Sequence, residues 1–394
     1  WLDYYIPFTV PAGFASVEVR LGWTGRYGET ASMGGFEVVG YGKDVALEKL
    51  PHGVDMASLE KDATWRAEAW ERIEEIRKGD MNVTVVDKNG KPVKGATVDV
   101  NMYEIDFGFG TCVGDYILDA NEQAIIENFN GVTDEGEARW DRYEENPSAT
   151  INLYERIKKL GINYLRGCSF MYDINPNPDE YVGSFFPERM WALNDDLEAY
   201  QAEVKAHIKK MAEEWKDYVD EWGIMNEGVE QDYMQEKYGR GIVKEWFETA
   251  REALGEDADI YYTDFVITHE IFYLLDEFKE MGLDYDGIGS QSHMGEYLRS
   301  PEELYDFFSQ LSERYDKNVK VTEYTISGEG EVMQANYTRD FMIAAFSLER
   351  MEGFFTWWIW DGQFHFPDKP SHFMYDKDWN LKMGGKVWQD LIYN

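Results

Sequence analysis

Two glutamates stand where a carboxylate can do chemistry. In YVDEWGIMNE (218–227) an apolar run ends in the polar pair Asn226–Glu227, and in NVKVTEYT (318–325) another runs into Glu323. A carboxylate just past the C-terminal end of a buried strand, with an amide beside it, is how a (β/α)8 barrel presents an acid to a substrate. The two are 323 − 227 = 96 residues apart, room for about three βα units. Carboxylates on different strands of one barrel are the pair that glycoside hydrolysis requires. One protonates the departing oxygen, and the other acts as nucleophile or base. A lone strand-end glutamate is common, so the reading rests on the pair and its flanks.

Such a pair meets only if the chain supplies the strands and helices of a barrel. From residue 107 onward the sequence alternates between them. Strands are expected at 107–113, 131–133, 162–166, 219–225, 260–263, 287–291, 319–322 and 353–358. Helices are expected at 151–160, 195–215, 242–254, 269–281, 301–315 and 333–348, with Asp195 and Asp196 as helix-start acids and Pro301 in a first turn. The competing architecture, a doubly wound open sheet, wants a glycine-rich phosphate loop after its first strand. GFGTCVGDY has neither that spacing nor an expected helix behind it. Upstream, 1–50 alternates like β-structure and 57–78 has a helical face of Trp65, Ala69, Ile73 and Ile76. Around Asn89–Gly90, 81–87 and 96–102 look like a hairpin. The expected organisation is therefore a β-rich segment (1–52), a helix-plus-hairpin lead-in (53–104) and an α/β barrel (105–394).

Composition narrows the partners. The 394 residues include 14 Trp, 26 Tyr and 22 Phe, enough to fill a large core and leave rings for a cleft that stacks sugars. A formal charge of −38 repels nucleic acid and anionic membranes and suits a neutral polymer. An ordinary acidic enzyme with salt-independent stability is expected rather than a halophile. Two cysteines, Cys112 and Cys168, make neither a disulfide scaffold nor a metal cluster. Of six histidines, His293 alone stands at a clear strand end, so no metal or cofactor is expected. No apolar run reaches the length of a membrane span. An extracellular monomer is expected.

These segments resemble the family 10 glycoside hydrolases, the endo-β-1,4-xylanases. WGIMNE resembles that family's acid/base motif and VTEYT its nucleophile motif. DGIGSQSHM (286–294) is similar to its sixth strand, FGFGTCV to its first and TWWIWDG to its eighth. The first 50 residues resemble the last strands of a carbohydrate-binding β-sandwich, and the stretch from ATWRAEAW to VDV resembles a segment that often precedes the catalytic domain. The resemblance implies a (β/α)8 TIM barrel and a retaining hydrolase of xylan or a related β-linked polysaccharide. It makes Glu227 the acid/base and Glu323 the nucleophile. It places Asn226 against the sugar 2-OH and His293 against Glu323, with Gln291 and His293 alternating on one strand. Trp357, or Trp358 in its stead, floors the subsite at the cleavage point.

Departures from the family cluster on the second and third strands. VTDEGEARW (132–140) keeps Glu135 but has Gly136 and Arg139 where the family has a sugar-contacting Asn and Lys. RGCSFMY (166–172) has Cys168 in place of a His and Tyr172 in place of a Trp. Thr325 stands where an Asp often supports the histidine. Cys168 and Gly136 are expected to open space near the sugar and so to alter substrate choice while leaving the chemistry intact. Two other readings remain open: a carbohydrate-binding barrel with little turnover, and a glycosidase for a different β-linked glycan.

Overall fold

The computed structural model describes residues 56–100, 105–167, 169–175, 177, 185–294, 298–326, 330–362 and 373–393, with 8–10, 13, 16, 35–42, 45 and 50 near the start of the chain. Cys168 and most of the expected β-rich segment lie outside the described residues.

The strands in chain order are β1 (Gly108–Val113), β2 (Gly131–Asp134), β3 (Tyr164–Gly167), β4 (Met171–Tyr172), β5 (Glu221–Asn226), β6 (Asp259–Asp264), β7 (Gly287–Ser290), β8 (His293–Met294), β9 (Asn318–Ile326) and β10 (Met351–Thr356). Eight of them pair in parallel in the order β1-β2-β3-β5-β6-β7-β9-β10, and β10 returns to β1 with Gly108 opposite Gly353 and Thr111 opposite Thr356. The sheet is thus a closed (β/α)8 barrel. Its strands are buried on both faces, which is why they appear as nearly unbroken apolar runs. Rings fill the barrel axis. A Cβ added at Gly110 would fall 2.2 Å from the Phe355 ring, and one at Gly287 would fall 2.1 Å from the Tyr261 ring. Only glycine fits at these two positions.

The helices follow local signals. Ser300 and Glu303 form a capping box ahead of Pro301–Tyr315, and Asp196 accepts from the Ala199 N–H (3.1 Å) to start Leu197–Trp215. The lead-in helix, Thr64–Ile76, is shorter than the expected 57–78 and is preceded by a 3-10 turn at Met56–Leu59. It docks on the barrel helix Glu331–Phe346 through Trp65, Ala69 and Ile73 against Ile343 and Ala344. Arg66 grips Asp340 by two bonds (3.1 and 2.8 Å), and Arg77 donates to the carbonyls of Phe346, Leu348 and Met351. No helix among the described residues is long and apolar enough to cross a membrane.

Three expectations need correction. A helix, Asp115–Asn128, does follow β1; it bends at Asn121, whose backbone is non-helical (φ −166°, ψ 78°), and the bend hides its periodicity. The expected 81–87/96–102 hairpin is reduced, among the described residues, to one bridge between Val86 and Pro92. The Asp87 carboxylate accepts from the Asn89 and Lys91 N–H groups and closes the turn early. Strand 287–291 stops at Ser290, because Ser292 turns the chain with φ 56°. His293 then pairs with Thr325 in the short β8–β9 ladder, so Gln291 and His293 do not share a strand.

Candidate active site

The candidate residues collect at the C-terminal ends of the barrel strands. Glu227 follows β5, Gln291 follows β7, Glu323 lies in the C-terminal half of β9, Glu135 follows β2 and Trp357 follows β10. Glu227 has the left-handed backbone (φ 59°) that turns the chain sharply out of its strand. Its N–H donates to the Thr263 carbonyl (2.8 Å), and the Asp264 carboxylate accepts from the Val229 N–H (3.1 Å). The turn is therefore pinned to β6. Such strained residues persist only where surrounding bonds over-determine them.

Amides surround the Glu227 carboxyl. Gln291 Nε2 donates to Oε1 at 2.7 Å, Asn226 Nδ2 reaches the same oxygen at 3.4 Å, and Gln231 Nε2 donates to Oε2. Burial pushes this carboxyl up to about 7. The Gln291 side-chain amide opposes that shift, the negative charges of Glu323 and Asp264 add to it, and His293 opposes it. Near neutral pH such a group can both give and take a proton. Asp264 is itself pushed up to about 6 by burial, against bonds from Tyr262 Oη and the Val266 and Val229 N–H groups.

Glu323 is buried at the other wall. His293 Nε2 stands 3.4 Å from Glu323 Oε2, and His293 Nδ1 shares a hydrogen bond with Thr325 Oγ1 (3.0 Å). The threonine thus fixes the ring from behind. A backbone relay ties the two walls together: the Gln291 N–H donates to the Asp264 carbonyl (2.9 Å) and the Glu323 N–H to the Gln291 carbonyl (3.2 Å). One carboxyl poised near neutrality and a second, histidine-braced carboxylate form an acid-and-nucleophile arrangement. Among the described residues no group of three or more His, Cys, Asp or Glu is set to hold a metal ion.

Residues 181–385, just over half of the chain, match the family described as glycosyl hydrolase family 10. The chain belongs to that family. Over 341 residues it is 25% identical to anti-sigma-I factor RsgI6 of Acetivibrio thermocellus, covering 83% of this chain and 42% of that protein. Over 186 residues it is 29% identical to endo-1,4-beta-xylanase A of Caldicellulosiruptor saccharolyticus, covering 43% of this chain and 52% of that one. The chain spans about half or less of the length of these curated relatives. Its fold is similar to xylanase 10B from Thermotoga petrophila in complex with xylobiose, with TM-score 0.64, 16% identity, and coverage of 74% of this chain and 98% of that chain.

The family 10 barrel departs from the expected picture mainly around β2 and β3. Glu135 accepts from Trp358 Nε1 (2.8 Å) and from Tyr116 Oη (2.5 Å), so Trp358 and Tyr116 fix its carboxylate. Trp357 is half-buried, and its carbonyl accepts from Cys112 Sγ (2.9 Å). Arg139 is held by Asp141 (3.2 and 2.8 Å) and lies 4.3 Å over the Phe185 ring, whose centroid is 4.5 Å from that of Tyr172. The two substituted positions, Arg139 and Tyr172, thus share one ring between them. Gly136 stands beside the Arg142 side chain. It has φ 156°, and a Cβ there would come within 3.2 Å of the Arg142 guanidinium. Burial pushes the Cys112 thiol well up, away from the thiolate a nucleophile needs.

Sequence reasoning missed Gln231, Asp264, Tyr116 and the brace at Thr325. Asp264 had a usable signal, because IYYTD ends an apolar strand in an acid just as WGIMNE does. Thr325 was visible as a substitution but not as a brace, and Gln231 and Tyr116 had no signal.

Proposed function

We propose that this chain cleaves internal β-1,4 linkages of xylan or a related β-glycan by double displacement, with retention at the anomeric carbon. Glu227 is the acid/base and Glu323 the nucleophile. The observation that carries this reading is the division of labour between the two carboxyls: Glu227 is held near neutrality among amides, while Glu323 is braced by His293. In the first step Glu227 gives its proton to the departing oxygen while a Glu323 oxygen bonds the anomeric carbon. Esterification removes the Glu323 charge, which had added to burial in holding the Glu227 proton. Glu227 thereby becomes a stronger acid and stays ionised as the base that draws a proton from water in the second step. Asn226, whose amide borders Glu227, bonds the 2-OH on this reading. Glu135, Arg139, Cys168, Tyr172, Gln291, His293 and Trp357 make up the remaining sugar contacts on this reading. The polymer is met outside the cell by a monomer, which sedimentation equilibrium checks.

The test is Glu323→Gln on xylan. An amide cannot form the glycosyl ester, so turnover should fall below about a percent of the parent rate. Proton NMR of the first product should show the β-anomer. Initial appearance of the α-anomer, or substantial turnover by the variant, sinks the proposal. A second reading rests on the substituted positions around β2 and β3, Gly136, Arg139 and Tyr172: a domain that binds the glycan and turns it over slowly. Tight xylan binding by the parent chain, with release of reducing sugar no faster than by Glu323→Gln, would favour it.

A further inference from the structure

Gln231 lies four residues beyond Glu227 on the turn that folds back over the acid. The N–H groups of Gln231 and Glu230 both donate to the Glu227 carbonyl (2.8 and 3.2 Å). The far side of the turn is tied down where the Tyr233 N–H meets the Asp173 carbonyl (2.9 Å). The Asp173 carboxylate holds the next helix, Tyr233–Tyr238, through the Met234 and Gln235 N–H groups (2.8 and 3.0 Å). Gln231 is therefore delivered to Glu227 by a braced segment. Its Nε2 donates to Glu227 Oε2, and its own Oε1 is buried without a hydrogen-bond partner.

The two oxygens of Glu227 are not equivalent. Oε1 accepts from Gln291 at 2.7 Å and faces the Asn226 amide at 3.4 Å. An oxygen facing two N–H donors is a poor place for a proton, so the neutral acid carries its hydrogen on Oε2. Beside that oxygen is a carboxamide with two usable ends. As drawn, Nε2 donates to the carboxylate. After a half-turn about its last bond, Oε1 accepts from Oε2–H and the orphaned oxygen finds its partner.

We propose that Gln231 is a positioning residue for the acid/base: it holds Oε2 of Glu227 in both protonation states and so fixes which oxygen delivers the proton. This rests on the reading of Glu227 as the acid/base. Among the described residues, the charged and titratable groups that act on Glu227 are Glu323 of β9, Asp264 of β6 and His293 of β8, and all three stay in place in the test.

The test compares Gln231→Met, similar in volume and without a donor, with Gln231→Glu, which keeps the length and adds charge. A bond to the charged form is about twice as strong as one to the neutral form, so losing the amide hurts the carboxylate more. The alkaline limb of kcat/KM should move up by about half to one pH unit in Gln231→Met, and further in Gln231→Glu. The loss in rate should grow with the pKa of an aryl leaving group, since a misplaced proton matters most to poor leaving groups. An alkaline limb that stays or moves down in both variants, or a loss equal across leaving groups, overturns the proposal. If the parent chain releases no sugar, the functional reading fails separately. The Glu227 carboxyl is then titrated by carbon-13 NMR, assigned by its absence in Glu227→Gln. The same upward move is expected in both variants, and a fixed titration midpoint overturns the role of Gln231.

Discussion

Strand β5 runs from a buried glutamate, Glu221, to a half-buried one just past its other end, Glu227, and the two sit in opposite fields. Glu221 opens the strand at the closed, N-terminal end of the barrel. Burial alone would push its carboxyl up, but Lys320 and then Arg166 outweigh burial and hold it below the usual carboxylate range. Arg166 Nε donates at 2.7 Å, Lys320 Nζ and Tyr164 Oη donate to the other oxygen, and Arg166 also reaches Thr263 Oγ1 (2.7 Å). Glu227, just past the other end, has amides as its hydrogen-bond partners among the described residues, and it is held up at about 7. Depth alone therefore does not set the proton affinity: the deeper carboxyl, Glu221, is the one held low. The Glu221 charge is compensated by two cations and stays fixed. The Glu227 charge is solvated only in part by N–H dipoles, and its proton can leave.

The largest expected effect breaks the compensated end. Lys320→Met leaves Glu221 with Arg166 alone in a site without water access and should cost roughly 3–5 kcal/mol of stability. Urea unfolding measures it. Adding Glu221→Gln to that variant should recover part of the loss, because the uncompensated charge is gone. The alkaline limb of activity should not move, since Lys320 lies at the opposite end of the barrel from Glu227. A limb that shifts with stability would mean that the two ends are not independent.

The next effect sharpens the reactive end. Asp264 adds negative charge near Glu227 and anchors its turn through Val229. Asp264→Asn removes the charge and keeps one acceptor oxygen. Glu227 should then ionise more readily, and the alkaline limb should fall by about half a pH unit. An upward move would show that loosening of the turn outweighs the charge. That outcome would relocate the control of Glu227 from its field to its backbone.

The contrast between the two ends also explains what could be foreseen from sequence. The two candidate glutamates were legible because each breaks a buried apolar run at its downstream end, and the barrel because its strands are apolar on both faces. Gln231 was not legible, since its place depends on a left-handed residue at Glu227, and nothing in NEGVEQ announces that turn. Ser292 hides the break between Gln291 and His293 in the same way: a serine with positive φ leaves no compositional mark. Thr325 was visible as a substitution, but its role emerges only from the register that sets it opposite His293. The Glu221–Lys320–Arg166 cluster joins single polar residues on three strands, and no one segment shows it.

The smallest effect concerns another buried carboxyl, at the end of β2. Asp134 ends β2 next to Glu135, and burial, then the charge of Glu137, pushes it up to about 8. Its Oδ1 accepts from the Ala138 N–H (3.0 Å), while its Oδ2 and Glu137 Oε2 are buried without hydrogen-bond partners. Because the folded value lies above the unfolded one, near 3.9, the native state holds more protons than the unfolded state between the two. Stability contributed by this group is therefore present below the unfolded value and is lost as pH rises toward 8. Asp134→Asn keeps the Oδ1 acceptor and puts an N–H2 where Oδ2 was, giving Glu137 a donor that does not titrate. The variant should lose part of the decline in Tm between pH 5 and pH 8, and at pH 8 it should melt about 1–2 °C higher than the parent. Scanning calorimetry at both pH values measures it. A variant that melts lower at pH 8 would mean that Asp134 is ionised and compensated there, as Glu221 is, and that the β2 end belongs with the structural carboxylates.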